Sequence, residues 1–99
     1  MAKSRAHAAE LRQVLHLFSL FGLPMRVIIY QRLTRTPATA GELARALPIS
    51  RTAVVQHLKL LEAARLVGAT FHGKRRVYYV QPKGLEPLVR WLAQRGCRP

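Results

Sequence analysis

The sequence predicts a mainly helical fold with one small β-hairpin, and three observations predict it. Apolar residues recur at helical spacing through four segments before Leu66. The period then falls to two over Val67 to Val80, around the Gly-containing connection His72-Gly73-Lys74. A final helical stretch follows Gln81-Pro82. With 99 residues, 49% of them hydrophobic, residues 1–99 read as a single domain with one small core. Such a chain buries roughly 65% of its unfolded surface as a monomer, which is little to spare and favours a dimer.

The first helix spans about Ser4 to Phe21, with Leu11, Val14, Leu15, Phe18 and Phe21 on one apolar stripe that Leu17 and Leu20 widen. The width suggests a second subunit as well as a core. Gly22 ends this helix, and Pro24 suits the first position of the next, where its missing N–H costs nothing. That helix runs Met25 to Leu33, offering Val27, Ile28, Tyr30 and Leu33 to the core. Thr34 to Ala38 reads as a loop. Thr39 and Glu42 have the Thr-x-x-Glu spacing of a capping box opening a short helix, Ala40 to Leu47, which buries Leu43 and Leu47. After Pro48-Ile49, Ser50 is a second N-cap candidate, and Arg51 to Arg65 forms a helix with Val54, Leu58, Leu61 and Arg65 on one stripe and Leu60 beside it. Two capped helices across a short turn, residues 39–65, fit a helix-turn-helix. The strands Val67–Phe71 and Arg75–Val80 make a two-stranded wing over 67–80. A helix from about Leu85 to Gln94 closes the chain with Leu85, Leu88, Val89 and Leu92 at helical spacing. A helix-turn-helix followed by a hairpin is a winged helix.

Charge names the partner class. Seventeen Lys and Arg against four Asp and Glu give a formal charge of +13. A folded domain this cationic meets an anionic partner or suffers strong self-repulsion, and nucleic acid leads the candidates. From Arg45 to Arg76 the cations Arg45, Arg51, Lys59, Arg65, Lys74, Arg75 and Arg76 face Glu62 alone. On the second helix of the helix-turn-helix the inward stripe leaves Thr52, Val55, Gln56 and Lys59 on the opposite face, able to reach the floor of a major groove. Gln56 can bond an adenine edge at two points, Thr52 can donate and accept, and Val55 can pack on a thymine methyl. Arg51 and Lys59 can read guanine or hold phosphate, and Ser50 with the helix-start amides suits a phosphate. The tip Gly73-Lys74-Arg75-Arg76 can follow the backbone or enter a narrow minor groove. The blander reading of that tip is a solvated hairpin, charged to prevent edge-to-edge pairing.

Other classes recede. Cys97, the single cysteine, permits no intrachain disulfide and no Cys-rich zinc site; it reads as an incidental thiol or an intersubunit bridge. Val14 to Val27 is broken by His16, Ser19, Pro24 and Arg26, so no bilayer span is expected, and Glu10 and Arg12 interrupt what would be a signal-peptide core. A cytoplasmic location follows. No Ser/His/Asp set, carboxylate pair or phosphate-cradling Gly loop points to an enzyme, and no cofactor is implied. His7 and His16 lie about 13.5 Å apart along the helix axis, too far for one ion within a subunit. His57 reads as packed or phosphate-contacting, and His72 lies at the wing tip. Trp91, just off the last helix's stripe, packs on the first helix or a partner subunit, or else floors a ligand pocket.

The run from Leu47 to Val67 resembles the recognition segment of ArsR/SmtB-type winged-helix repressors: Ser50-Arg51 at the helix start, Gln56-His57-Leu58-Lys59 in its middle, and Leu66-Val67 entering the wing. The similarity extends over Phe21 to Leu92. It implies a homodimer built by the first and last helices (1–21 and 83–96), with Leu11, Leu15, Phe18, Leu85, Leu88, Trp91 and Leu92 at the interface. It also implies a pseudo-palindromic operator, with the protein's own promoter as a candidate, and repression released by a small-molecule or redox signal. The chain departs from its relatives where they bind metal. Glu42-Leu43 is followed by Ala44-Arg45-Ala46 in place of a Cys-x-Cys pair, and the last helix offers only Glu86 as a ligand. The entry to the second helix is Leu23-Pro24-Met25-Arg26 in place of Asp-Pro-x-Arg, and Val55 stands where a small polar residue is usual. Two functions therefore compete: a sequence-specific repressor without the usual metal ligands, and a nonspecific architectural nucleic-acid binder.

Overall fold

The computed structural model describes residues 2–96, with side chains from His7 onward; Cys97 lies outside them. Helix α1 (Ala2–Phe21) splits its wide apolar stripe in two. Val14, Leu17 and Leu20 are buried, whereas Leu11, Leu15 and Phe18 are 45%, 57% and 49% exposed. The one broad stripe expected from Leu11 to Phe21 thus resolves into two rows, one facing this chain's core and the other, with Leu11, Leu15 and Phe18, facing out. Helical period gives both rows equally and cannot choose between them.

After Gly22 the chain turns by 93° into α2 (Pro24–Arg35), with proline in the first turn as the sequence predicts. Here Ile29 and Leu33 are the buried pair, and the expected core residues Val27 and Ile28 are exposed. Ile29 and Leu33 stand four apart on the side that meets β3 and the shared core, and each residue's 100° step carries Val27 and Ile28 away from it. Tyr30 is half-buried, edge-on to Phe21 at 5.4 Å, and burial raises its phenol pKa.

The expected loop at Ala38 contains a short strand, β1 (Ala38–Thr39), so the wing belongs to a three-stranded sheet rather than a two-stranded one. Two residues carry no alternation that a sequence could display, and Thr39 also serves as a helix cap. Helix α3 (Ala40–Ala46) opens on the predicted capping box: Glu42 N–H donates to Thr39 Oγ1 at 3.1 Å and Thr39 N–H to Glu42 Oε1 at 3.0 Å. Leu43 is fully buried and Leu47 only partly. Helix α4 (Arg51–Ala63) starts at Ser50, whose Oγ accepts from Ala53 N–H at 3.1 Å. Val54, Leu58 and Leu61 are completely buried, each about 2 kcal/mol of apolar transfer.

Arg65, expected on that inward stripe, lies beyond the helix and is exposed. It adopts a left-handed φ of 62°, while Leu66 N–H bonds Leu61 C=O at 2.9 Å and Arg65 N–H bonds Glu62 C=O at 3.0 Å. This is the Schellman closure, with arginine where glycine is the usual choice.

Strands β2 (Val67–His72) and β3 (Arg75–Val80) pair antiparallel, from Val67 opposite Val80 to His72 opposite Arg75, and β3 also pairs with β1. His72 is therefore a paired strand residue, and only Gly73-Lys74 make the turn, with Gly73 at φ 67° as a primed hairpin turn requires. Gly68 sits under the Tyr79 ring, where a Cβ would lie 2.6 Å from ring atoms. A 3₁₀ turn (Pro82–Leu85) then leads into α5 (Glu86–Ala93), which lies on α1 with Trp91 edge-on to Phe18 at 5.9 Å. Among the described residues no single helix is long and apolar enough to cross a membrane.

Candidate nucleic-acid interface

Because Val54, Leu58 and Leu61 fasten α4 to the core, its other side must face out. Arg51, Thr52, Gln56 and Lys59 are exposed there, as the sequence predicts. Val55 is only half-exposed, since it packs against the edge of the core. Ser50 is exposed, but its oxygen already accepts the capping hydrogen bond, leaving its hydroxyl hydrogen free to donate.

An open cleft runs between α3, the first turns of α4 and the wing. Arg45, Arg51 and Val55 form one wall, and Lys74, Arg75 and Arg76 the other. The fold thus joins the start of α4 to the hairpin tip in one cationic groove. Thr52, Gln56 and Lys59 stand outside this cleft, on the outer surface of α4.

The three wing cations are not equivalent. Arg75 Nη2 lies 3.0 Å from Glu42 Oε1 on α3. Arg76 Nη2 reaches both carboxylate oxygens of Glu62 on α4 at 2.9 Å, and its guanidinium lies over the rings of Tyr78 at 5.3 Å and Phe71 at 6.0 Å. Lys74 has no carboxylate within ion-pair distance among the described residues. The Glu42 pKa is lowered, first by the Thr39 backbone N–H and then by the Thr39 side chain; burial opposes this, and Arg75 and Arg45 add weaker lowering. In the sequence Glu42 stands out only as a cap and Glu62 not at all. Phe71 reads in the sequence simply as a strand residue, though it is 70% exposed.

His57 on α4 is half-buried, and its Nδ1 accepts from Arg26 Nε of α2 at 3.2 Å. Burial first, and the Arg26 charge second, push its pKa down. Arg26 Nη1 also reaches Leu20 C=O near the end of α1 at 3.5 Å, so this one arginine spans α1, α2 and α4. Among the described residues no three His, Cys, Asp or Glu side chains gather where a metal ion could sit.

The residues expected at a dimer contact divide. Leu11, Leu15 and Phe18 are exposed on α1, whereas Leu85, Leu88, Trp91 and Leu92 are half-buried, with Leu85 and Leu88 closing the edge of the core. Arg95 covers Trp91, its guanidinium 3.9 Å from the ring centroid and its Nη1 donating to Trp91 C=O at 2.8 Å.

Comparison with known proteins fits this arrangement. A helix-turn-helix domain family matches residues 23–67. The HTH-type transcriptional regulator Rv2034 of Mycobacterium tuberculosis is 54% identical over 63 residues, which are 64% of this chain and 59% of that regulator. The chain thus spans well under two thirds of that relative. Among solved structures, a possible transcriptional regulator for arsenical resistance superposes with a TM-score of 0.71 at 32% identity, covering 82% of this chain and 84% of that one. The homodimeric winged helix-turn-helix DNA-binding domain Mb0332 from Mycobacterium bovis, a possible ArsR-family regulator, gives 0.73 at 25% identity, covering 91% and 86%. With its capped helix-turn-helix, its wing and these relatives, the chain belongs to the ArsR-type winged helix-turn-helix regulators.

Proposed function

We propose that the chain is a cytoplasmic, sequence-specific DNA-binding transcriptional repressor without catalytic activity, working as a homodimer on a pseudo-palindromic operator. The observation that carries this reading is the outer face of α4, where Arg51, Thr52, Gln56 and Lys59 are exposed beside a cation-lined cleft. In this reading α4 (with 39–65 as the reading unit) enters the major groove. Gln56 reads adenine, Thr52 adapts to its neighbour, and Val55 lies against a thymine methyl. Arg51 and Lys59 contact guanine or backbone, Ser50 and the first amides of α4 hold a phosphate, and the wing, 67–80, lies along the flanking groove through Gly73, Lys74, Arg75 and Arg76, with Lys74 foremost.

The dimer is supported by the exposed row Leu11, Leu15 and Phe18, joined to α5 through Phe18 and Trp91, and by the homodimeric state of the Mycobacterium bovis neighbour. A charge of +13 favours a second reading, nonspecific coating of nucleic acid. Hydroxyl-radical footprinting of the DNA upstream of the chain's own gene separates the two. The repressor reading expects two protected half-sites about one helical turn (~34 Å) apart. Uniform protection that spreads with protein concentration contradicts it.

A further inference from the structure

The acids of this chain are few, and two of them lie where they oppose DNA binding. Four Asp and Glu accompany seventeen Lys and Arg. Glu42 and Glu62 stand on the two helices of the helix-turn-helix, and each meets one arginine of the wing. A carboxylate and a DNA phosphate offer a guanidinium the same recognition: two anionic oxygens matching its N–H fork. Each arginine on a carboxylate is therefore one withheld from the backbone.

The local geometry makes both carboxylates ready competitors. Glu42 Oε1 is already fixed by the Thr39 N–H at 3.0 Å, so it waits at the cleft whether or not Arg75 is present. Arg76 donates to both oxygens of Glu62 and is flanked by Tyr78 and Phe71, which reduces its freedom to swing outward. Exposed pairs of this kind lower the share of free arginine by up to roughly five-fold, enough to weaken a phosphate contact without forbidding it. Among the described residues Lys74, at the turn, is left as the wing's cation without a carboxylate partner.

We propose that Glu42 and Glu62 are specificity-determining residues that hold Arg75 and Arg76 back from the phosphates and so limit sequence-independent binding. The proposal rests on the DNA-binding reading above. Phosphate contacts add affinity for every duplex alike and carry no sequence information. In a domain of charge +13, limiting them keeps the protein from being lost to bulk DNA.

The test is binding of the full chain to a random-sequence duplex between ~50 and ~200 mM salt. Glu42→Gln and Glu62→Gln each remove one carboxylate, and Glu42→Gln keeps the capping-box geometry, which accepts Gln as readily as Glu. Glu86→Gln is the control, since it adds the same charge at an exposed α5 position that no ion pair engages among the described residues.

Each wing-facing variant is expected to tighten random-duplex binding about three-fold, and the two together about ten-fold, with the log–log salt slope steeper by up to ~0.9 for each freed arginine that finds a phosphate. Glu86→Gln changes binding less than about two-fold. The gain from Glu42→Gln disappears when Arg75→Ala is also present, and that from Glu62→Gln when Arg76→Ala is. Variants indistinguishable from Glu86→Gln, or gains that survive loss of the arginines, overturn the inference while leaving the DNA-binding reading intact. A wild-type chain that binds no duplex overturns both.

Discussion

Helix α4 and the wing differ in how their polar side chains are committed. On α4 the outward Arg51, Thr52, Gln56 and Lys59 make no ion pair or side-chain hydrogen bond among the described residues, so each can turn wholly toward a ligand. On the wing, Arg75 and Arg76 are tied to the helices behind them, and the tip presents Lys74. A count of cations makes the hairpin the stronger DNA ligand. The geometry leaves Lys74 as the wing cation without a carboxylate partner among the described residues, and teaches that a count of charges overstates a surface whose charges are partly answered within the molecule.

The largest expected effect sharpens the α4 side. Gln56→Ala should cost about 1–3 kcal/mol of discrimination at each base pair that it reads, measured on a panel of operator variants. Equal weakening on every variant would place Gln56 on the backbone instead. On the wing side, Lys74→Ala should lower the log–log salt slope by about 0.9 for each phosphate that the lysine neutralises, and Arg75→Ala by distinctly less. The reverse order would break the comparison.

At the corner joining the two regions, Arg65→Gly should stabilise the fold by up to about 1 kcal/mol in urea unfolding. It relieves a left-handed φ of 62°, offset in part by the added freedom of the unfolded chain. The smallest effect concerns pH. His57 has a folded pKa depressed by burial and by Arg26, against about 6.5 when unfolded. The unfolded chain therefore binds the proton more readily. His57's contribution is fully present above pH ~6.5 and is lost as pH falls through the lower folded value. The Tm should decline on that acid side, and His57→Gln should flatten the decline.

Much of the fold and site is legible in the sequence because it is local. Thr39 with Glu42, Ser50 and Gly22-Pro24 act within a few residues, and each forms as its spacing predicts, while the Gly73 turn forms one residue tighter than expected. The outward face of α4 is legible too, since its buried stripe is narrow and regular.

What escapes a reading of the sequence is decided by partners distant along the chain. Strand β1 exists only because β3 offers it a register. Ile29 displaces Val27 and Ile28 from the core because of what lies against α2. Arg26 finds His57 across 31 residues, and Arg75 finds Glu42 across 33. The two apolar rows of α1 look alike in sequence, and packing alone separates them.

The central claim is that α4 reads sequence in the presence of a large nonspecific charge. Its most direct test is fluorescence anisotropy of the full chain with the duplex upstream of its own gene and a scrambled duplex of equal length, at ~50 and ~200 mM salt. The account predicts a preference for the upstream duplex of about 10³-fold or more that persists at the higher salt. Equal binding to both duplexes, collapsing together as salt rises, would contradict it.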